Sequence, residues 1–215
     1  MFNKEYLKGN DYIINLIKRD NIEEKFIEFV YTESLSRPFS WLNFIEDVLS
    51  NSKITYTINT TSIISTYLIK KEESYYLFET LKTLLRLSVI KKIIYKKEFI
   101  IVHYANEFIK EILTNKNKWL SITIGELLKE NNIIDTIYYG AIYNDYKIKK
   151  EIDALLIYKE QLIILNTDLI NIVDNQEFLN FYISISNTMK NIQIPYIKFN
   201  YIKKKFINNF LSYIN

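Results

Sequence analysis

The sequence predicts an α/β or α+β fold, in which a helical N-terminal region precedes a layered domain built on a sheet. Two observations lead to this prediction. In the first half of the chain, apolar residues recur with the period of a helix. In the second half, short apolar runs rich in β-branched and aromatic residues alternate with polar turns, and helical patterns flank them. We therefore divide the chain into a first region over residues 1–114 and a second over residues 115–215.

The first region is predicted to be mostly helical. Residues 11–30 place apolar side chains near a 3.6-residue period and predict one or two helices, and another helix is predicted to begin at Pro38. The Thr/Ser-rich segment 55–62 is expected to supply the N-cap of a helix over residues 63–71. A long helix with a leucine-rich face is predicted to begin near Ser74.

A β-hairpin is predicted directly after this long helix. The segment VIKKIIYKKEFIIVHYA alternates in polarity around a turn at Lys96 and Lys97. A helix followed by a two-stranded wing is the end of a winged-helix domain, and a helix and hairpin packed only for structure is the alternative. Lysines on a wing can contact phosphates, so Lys96 and Lys97 are candidate nucleic-acid-binding residues.

The second region is predicted to alternate between helices and strands. Two helices interrupted near residues 115–117 precede three strands, DTIYYGAIYN, KKEIDALLIYK and EQLIILNTD. The last two strands are expected to form an antiparallel hairpin that turns at Tyr158–Gln161. A helix over residues 175–191, a strand that includes Pro195 and a terminal helix complete the pattern.

The composition excludes several classes of protein. With 48% apolar residues, the 215-residue chain can bury a real core. Three glycines argue against a Gly-rich phosphate loop or a dinucleotide-binding fold, and the absence of cysteine excludes disulfides, thiolate metal sites and a cysteine nucleophile. The only histidine, His103, has no second histidine or cysteine with which to bind a metal. A net charge of +3 is too small to indicate a nucleic-acid partner by itself.

Neither secretion nor membrane insertion is expected. The first twenty residues are charged where a signal peptide needs an apolar core. No run of about 18 uncharged apolar residues occurs, which a membrane-spanning helix would need. We therefore expect a cytoplasmic protein with no membrane partner.

Four stretches between residues 75 and 168 form a recognisable series: FETLKTLLRLSVIKKI, KKEFIIVHYANEFIKEIL, NKWLSITIGELLKE and EIDALLIYKEQLIILNTD. They resemble the winged helix and the PD-(D/E)XK restriction-endonuclease-like domain of CRISPR-associated CARF–nuclease effectors. In that family a helix begins with Trp-Leu-Glu, one strand has Glu, an aliphatic residue and Asp, and the next strand ends in Glu-Cys-Lys. Here Trp119 and Leu120 match the helix motif, and residues 151–153 match the first strand motif.

The resemblance implies a metal site at the ends of two adjacent strands. In such a site, carboxylates hold one or two divalent ions that activate water and stabilise the charge of the phosphorane. The family's positions fall on Asp153, Asn166 and Asp168, which are therefore the candidate catalytic residues. Asp153 and Asn166 are the candidate ligands of Mg²⁺ or Mn²⁺.

Three of the family's four polar positions differ in this chain. Ser121 replaces the helix glutamate, Asn166 replaces the second-strand acid and Asp168 replaces the lysine. Losing both the acid and the lysine removes more than one contribution of about 10²–10³ in rate. We therefore favour a degenerate domain that has lost catalysis and requires no cofactor. In one alternative, Asp153, Asn166 and Asp168, with Glu126, still bind Mg²⁺ or Mn²⁺, and in another the hairpin belongs to an unrelated fold.

The resemblance also implies a setting and partners. It implies a CRISPR-linked or other anti-phage role, without the sensor domain, because the first 74 residues are too short and too poor in glycine to build one. Nucleic acid is the first expected partner, with contacts at Lys147, Lys149 and Lys150 beside the Asp153 strand. The alternative partner is a protein of a defence system that the chain binds or inhibits. Homodimers are usual in the resembled family.

Overall fold

A computed structural model describes residues 5–8, 12–51, 60–66, 74–115, 118–145, 149–159, 161–173, 176–185, 191–198, 208 and 211–212. Within these residues the chain forms five helices and two antiparallel sheets, so the predicted α+β class is confirmed. Backbone contacts divide the chain into two compact units. The inserted unit is Arg19–Trp119, and the sheet unit combines Met1–Lys18 with Leu120–Asn215. The predicted division into residues 1–114 and 115–215 stays a prediction.

The elements follow in chain order. They are β1 (Glu5–Lys8), β2 (Tyr12–Leu16), α1 (Asn21–Ser36), α2 (Pro38–Asn51), β3 (Thr61–Ser65), α3 (Ser74–Arg86), β4 (Ile90–Tyr95), β5 (Phe99–Tyr104), α4 (Glu107–Thr114), α5 (Lys118–Glu130), β6 (Thr136–Asp145), β7 (Lys149–Tyr158), β8 (Gln161–Val173), β9 (Gln176–Ile185) and β10 (Asn191–Lys198). Among the described residues, no helix is long and apolar enough to cross a membrane.

The inserted unit contains α1 to α4 and a three-stranded sheet with the order β3-β5-β4. A capping box starts α1, because the Asp20 side chain accepts a hydrogen bond from the Glu23 N–H at 2.9 Å and the Glu23 side chain accepts one from the Asp20 N–H at 3.1 Å. Pro38 opens α2, where its missing N–H costs no helical hydrogen bond. The predicted helices at Pro38 and Ser74 and the hairpin that turns at Lys96–Lys97 are confirmed.

An aromatic cluster fills part of the core of the inserted unit. Trp41 is fully buried and packs against Phe29, Phe44 and Trp119, with ring centroids 6.1, 5.5 and 6.2 Å away. Edge-to-face and tilted contacts of this kind are favoured by the charge distribution of aromatic rings. The motif residue Trp119 therefore contributes to packing.

The sheet unit is built on seven strands in the order β1-β2-β6-β7-β8-β9-β10, and every described pairing is antiparallel. Strands β6, β7 and β8 follow the predicted pattern, and β7 and β8 form the predicted hairpin with Tyr158 paired to Gln161. Helix α5 approaches β6 closely at Gly125, where an added Cβ would overlap the side chains of Ile137 and Tyr139.

Three predicted helical segments are strands where the structure describes them. Residues 12–16 form β2, residues 61–65 form β3 and residues 176–185 form β9. Each contains β-branched or aromatic residues whose pairing with a neighbouring strand outweighs a weak helical period. The predicted terminal helix lies outside the described residues except for positions 208 and 211–212, which are helical.

Candidate functional site

Asp153 lies on β7 near the centre of the seven-stranded sheet and is half-buried. Gly140 of β6 lies opposite Asp153, since the flanking pairs are Tyr139 with Ala154 and Ala141 with Ile152. Gly140 has φ of 66°, a left-handed conformation that glycine adopts without steric cost. The β6 position opposite Asp153 therefore has no side chain.

Asn166 and Asp168 lie on β8, the other neighbour of β7. The pairing of β7 with β8 ends at Ala154 and Leu165, so Asp153 and Asn166 are the next residues on the two strands. Asp168 lies two residues further along β8, where it pairs with Asn180 of β9. The backbone thus brings the candidate metal ligands Asp153 and Asn166 to neighbouring positions. Their catalytic and metal-binding roles stay predictions.

Glu126 approaches the sheet from the face opposite to Asp153. The Tyr139 hydroxyl donates a hydrogen bond to the Glu126 Oε1 at 2.9 Å, and Lys129 Nζ lies 3.7 Å from Oε2. Tyr139 pairs with Ala154, and successive residues of a strand point to opposite faces. The Glu126 carboxylate is therefore held by Tyr139 and Lys129 and is not placed to share a metal ion with Asp153.

The lysines of the predicted wing lie in the turn that joins two strands of the three-stranded sheet. Lys96 and Lys97 form the turn between β4 and β5, and both are exposed. Two hydrogen bonds fix this turn: the Lys96 N–H donates to the Phe99 carbonyl at 2.9 Å, and the Thr66 hydroxyl donates to the Lys97 carbonyl at 3.1 Å. These two side chains therefore extend into solvent from a well-defined turn.

The candidate lysines beside Asp153 are less fully described. Lys149 and Lys150 belong to β7, where they pair with Asn144 and Tyr143 of β6. Lys147 lies outside the described residues. The predicted nucleic-acid contacts of all three stay predictions.

Charge is segregated within the inserted unit. Residues 74–104, which include α3 and the β4–β5 hairpin, contain six basic and two acidic residues. Residues 19–51, which include α1 and α2, contain three basic and seven acidic residues. The small net charge of +3 is therefore the sum over a chain that contains a basic segment and an acidic segment. The basic segment includes the exposed hairpin.

Sequence reasoning missed several exposed residues on this basic segment. Tyr75, Lys82 and Arg86 are exposed on α3, and Tyr95 is exposed at the end of β4. The signal that could have found them is the helical period, because positions 75, 82 and 86 fall opposite the buried leucine face of α3.

Two strongly perturbed phenols among the described residues of the inserted unit have structural roles. The Tyr76 hydroxyl donates to Glu33 Oε2 at 2.7 Å, and burial and this carboxylate raise the pKa of Tyr76 well above its usual range. Burial raises the pKa of Tyr104 to about 12, although its hydrogen bond to Ser62 opposes the rise. Both phenols therefore stay protonated at neutral pH and are unsuited to act as bases.

His103 bridges two strands. Its Nδ1 lies 3.1 Å from the Thr61 hydroxyl across the β3–β5 pair. Among the described residues, no group of three His, Cys, Asp or Glu side chains is placed to hold a metal ion. His103 is therefore engaged in a cross-strand contact that stabilises the sheet.

Comparison with known proteins gives distant structural similarity only. No protein-family model matches the sequence, and no curated protein matches it significantly. Protein VC1899 from Vibrio cholerae has a TM-score of 0.48 and 9% identity, covering 75% of this chain and 42% of that one. Can2 from Sulfobacillus thermosulfidooxidans in complex with cyclic tetra-adenylate has a TM-score of 0.37 and 12% identity, covering 69% of this chain and 36% of that one. The chain spans less than half the length of either protein, and at these scores neither identifies its activity.

Proposed function

We propose that this is a nuclease-like protein that binds nucleic acid through the inserted unit and has lost efficient cleavage. The CRISPR-linked or anti-phage setting of the proposal rests on the sequence resemblance of residues 75–168. The observation that supports binding is the exposed basic hairpin. The observation that supports the loss of cleavage is the identity of the residues at the family's positions on β8, Asn166 and Asp168.

The β4–β5 hairpin has the properties of a phosphate-binding element. Lys91, Lys92, Lys96 and Lys97 are all exposed. Within the described residues, β4 is an edge strand with no neighbouring strand on its outer side. Each lysine that neutralises a phosphate releases condensed counterions, which favours binding at low salt. Lysines on an edge strand also discourage pairing with other strands, so the same residues help to keep the protein from aggregating.

Salt-dependent binding tests this half of the proposal. The double variant Lys96→Gln/Lys97→Gln is expected to reduce the slope of log K against log salt by about 1.4 to 1.8, since each phosphate contact contributes about 0.7 to 0.9. The control Lys25→Gln/Lys129→Gln removes the same charge from exposed positions on α1 and α5 and should leave the slope unchanged. Absence of binding to DNA and RNA at about 50 mM salt would contradict the proposal and favour a protein partner.

The residues at the candidate metal position fit a catalytic Mg²⁺ or Mn²⁺ poorly. Asp153 supplies one carboxylate, and Asn166 supplies only a neutral amide oxygen, which cannot offset the charge of the ion. The position of the family's lysine is occupied by Asp168, whose carboxyl group cannot supply the ammonium donor that the family's lysine provides. We therefore derive no metal-dependent step and propose that the chain needs no cofactor.

A divergent nuclease is the second candidate function, because Asp153 and Asn166 do lie at neighbouring positions on β7 and β8. Purified protein incubated with plasmid, single-stranded DNA and RNA, first with Mn²⁺ and then with Mg²⁺, separates the two candidates. We expect no cleavage above that of the Asp153→Asn variant. Robust cleavage that Asp153→Asn abolishes would overturn the loss of catalysis and establish the nuclease.

A further inference from the structure

We infer that the inserted unit binds unpaired nucleotides on an aromatic and basic surface formed by α3 and the end of β4. This α3–β4 surface consists of Tyr75, Phe78, Lys82, Leu85, Arg86 and Tyr95. The inference rests on the proposed nucleic-acid binding and adds to it the class of ligand and the residues that contact the bases.

Exposed apolar side chains are concentrated on the α3–β4 surface. Among the side chains that the structure describes, the exposed large apolar ones are Tyr75 at 76%, Tyr95 at 52% and Leu85 at 40%. All three belong to one helix and the strand that follows it. Isolated exposed apolar residues are ordinary on protein surfaces, whereas a cluster of them typically marks a binding site.

The members of this surface lie close together. Phe78 of α3 contacts Tyr95 of β4, with ring centroids 6.1 Å apart and planes inclined at 44°. On α3, positions 75, 78, 82, 85 and 86 fall within an arc of about 120° around the helix axis. The opposite side of the helix is occupied by buried residues, among them Leu77, Leu81 and Leu84. The rings and the cations therefore share the side of α3 that faces away from the core.

Positive charge accompanies the aromatic rings. Lys82 and Arg86 are exposed one turn apart on the same arc. The Glu79 carboxylate raises the pKa of Lys82 through a hydrogen bond of 2.8 Å. Lys82 lies one helical turn from Phe78, whose ring contacts Tyr95. A phosphate that contacts Lys82 would therefore lie beside this aromatic pair.

Exposed rings beside cations suit unpaired bases better than a duplex. Tyrosine can stack on the face of a base only when that face is not already stacked in a helix. In contrast, contacts to duplex DNA are made mainly by cations to phosphates and by hydrogen-bonding groups to base edges in the grooves. A lysine-only surface would bind either form, and the two exposed tyrosines are what favours the single strand.

Two comparisons test the inference: binding to a single strand against binding to its duplex, and binding by the unchanged protein against binding by variants that lack a tyrosine ring. The full-length protein is titrated into a labelled single strand of about 20 nucleotides and into its duplex with the complement, at about 50 mM salt. We expect the single strand to bind more tightly than the duplex. Tyr75→Ala and Tyr95→Ala should each weaken binding to the single strand roughly 5- to 150-fold, the usual range for loss of a base–aromatic stack.

Matched variants separate the contribution of each tyrosine ring from that of its hydroxyl. Tyr75→Phe and Tyr95→Phe keep the ring and should bind almost as well as the unchanged protein. Because Tyr75 is largely exposed, its replacement by alanine should leave the melting temperature nearly unchanged, which confirms that the variant is folded.

The possible outcomes distinguish this inference from the proposed function. If the duplex binds at least as tightly as the single strand, or if both alanine variants bind like the unchanged protein, the inference is overturned and the proposed nucleic-acid binding stands. If neither form binds, the proposed function fails and the inference fails with it. Tighter binding of the single strand, with loss in the alanine variants and retention in the phenylalanine variants, supports both.

Discussion

Two of the β-hairpins of this protein, β4–β5 and β7–β8, have similar sequences and different surroundings. Each consists of two apolar strands joined by a short polar turn, with lysine in the turn. The β7–β8 hairpin occupies the middle of the seven-stranded sheet, with β6 on one side and β9 on the other. The β4–β5 hairpin places β4 at the edge of the three-stranded sheet.

This difference in position decides what the side chains can do. Leu155, Leu156, Ile163 and Leu165 of the central hairpin are fully buried, so their identities are constrained by packing. The edge strand β4 instead exposes lysines and Tyr95. The central hairpin resembles a catalytic motif in sequence, but most of its described side chains are buried and pack in the core. The β4–β5 hairpin is the one of the two that exposes cations beside an aromatic ring, as the proposed binding requires.

The largest expected effect is on stability, and it compares the central hairpin with the edge hairpin. Leu165→Ala removes a fully buried side chain from the central hairpin and should lower the free energy of unfolding by about 2 to 5 kcal/mol. Lys97→Gln in the edge hairpin should change it by less than about 0.5 kcal/mol. Urea unfolding followed by circular dichroism gives both values. Equal effects would show that the two hairpins do not differ in structural importance.

A smaller effect is expected where α5 packs on the sheet. Gly125→Ala adds a Cβ that overlaps the side chains of Ile137 and Tyr139, and Tyr139 is held in place by its hydrogen bond to Glu126. We expect a loss of about 1 to 3 kcal/mol of stability, although alanine favours a helix more than glycine does. The exposed position Glu130 of the same helix provides the control, since Glu130→Ala should be nearly neutral. A stabilised Gly125→Ala variant would contradict the close packing of α5 against β6.

Alkaline pH should weaken the inserted unit through a buried tyrosine of its edge hairpin. The pKa of Tyr104 rises from 10.0 to about 12 on folding because its phenol is buried. Its contribution to stability is therefore fully present below about pH 10 and is lost as the pH rises towards 12, at up to about 1.4 kcal/mol per pH unit. Tyr76 contributes in the same direction.

The variant Tyr104→Phe isolates this contribution. Its stability should fall less steeply with pH between about pH 10 and 12 than that of the unchanged protein, when both are measured by urea unfolding. The absolute stability is compared separately, because the variant also removes the hydrogen bond to Ser62. An unchanged pH slope would mean that Tyr104 is not protected from ionisation in the folded protein.

The smallest expected effect concerns the charge of the α3–β4 surface. Glu79 forms an ion pair with Lys82 at 2.8 Å, so Glu79→Gln leaves Lys82 available to phosphate and raises the local charge by one. We expect binding to a single-stranded oligonucleotide to strengthen a few-fold at low salt, with little effect at high salt. The control Glu28→Gln makes the same charge change on the exposed side of α1 and should not alter binding. Equal strengthening by both variants would point to net charge alone.

The sequence predicts elements best where its pattern is long or bounded by clear signals. Helix α3 shows its leucine face over several turns, and the β4–β5 and β7–β8 hairpins have polar turns between apolar strands. Strands β2 and β3 are only five residues long, so their few apolar residues fit a helical period as well as an alternating one. Their partners β6 and β5 lie far away in the sequence, and no local pattern can indicate such pairing.

The candidate site could be predicted only in part for a similar reason. The position of Asp153 next to Asn166 follows from the hairpin register, which a single turn sets. That Glu126 approaches from the other face depends on how α5 packs over Tyr139, which involves elements that are separate in sequence. The helical period of α3 indicates the exposure of Tyr75. The exposure of Tyr95 had to be seen in the structure, because eighteen tyrosines are spread through the chain and most give no sign of which are exposed.

The grouping of Met1–Lys18 with Leu120–Asn215 has a consequence for synthesis on the ribosome. Strand β2 pairs with β6, so the nascent chain must grow by more than a hundred residues before β2 meets its partner. At typical translation speeds this delay lasts roughly 6 to 26 seconds. The whole of Arg19–Trp119 emerges during that interval and can fold first, while β2 still lacks the strand it pairs with.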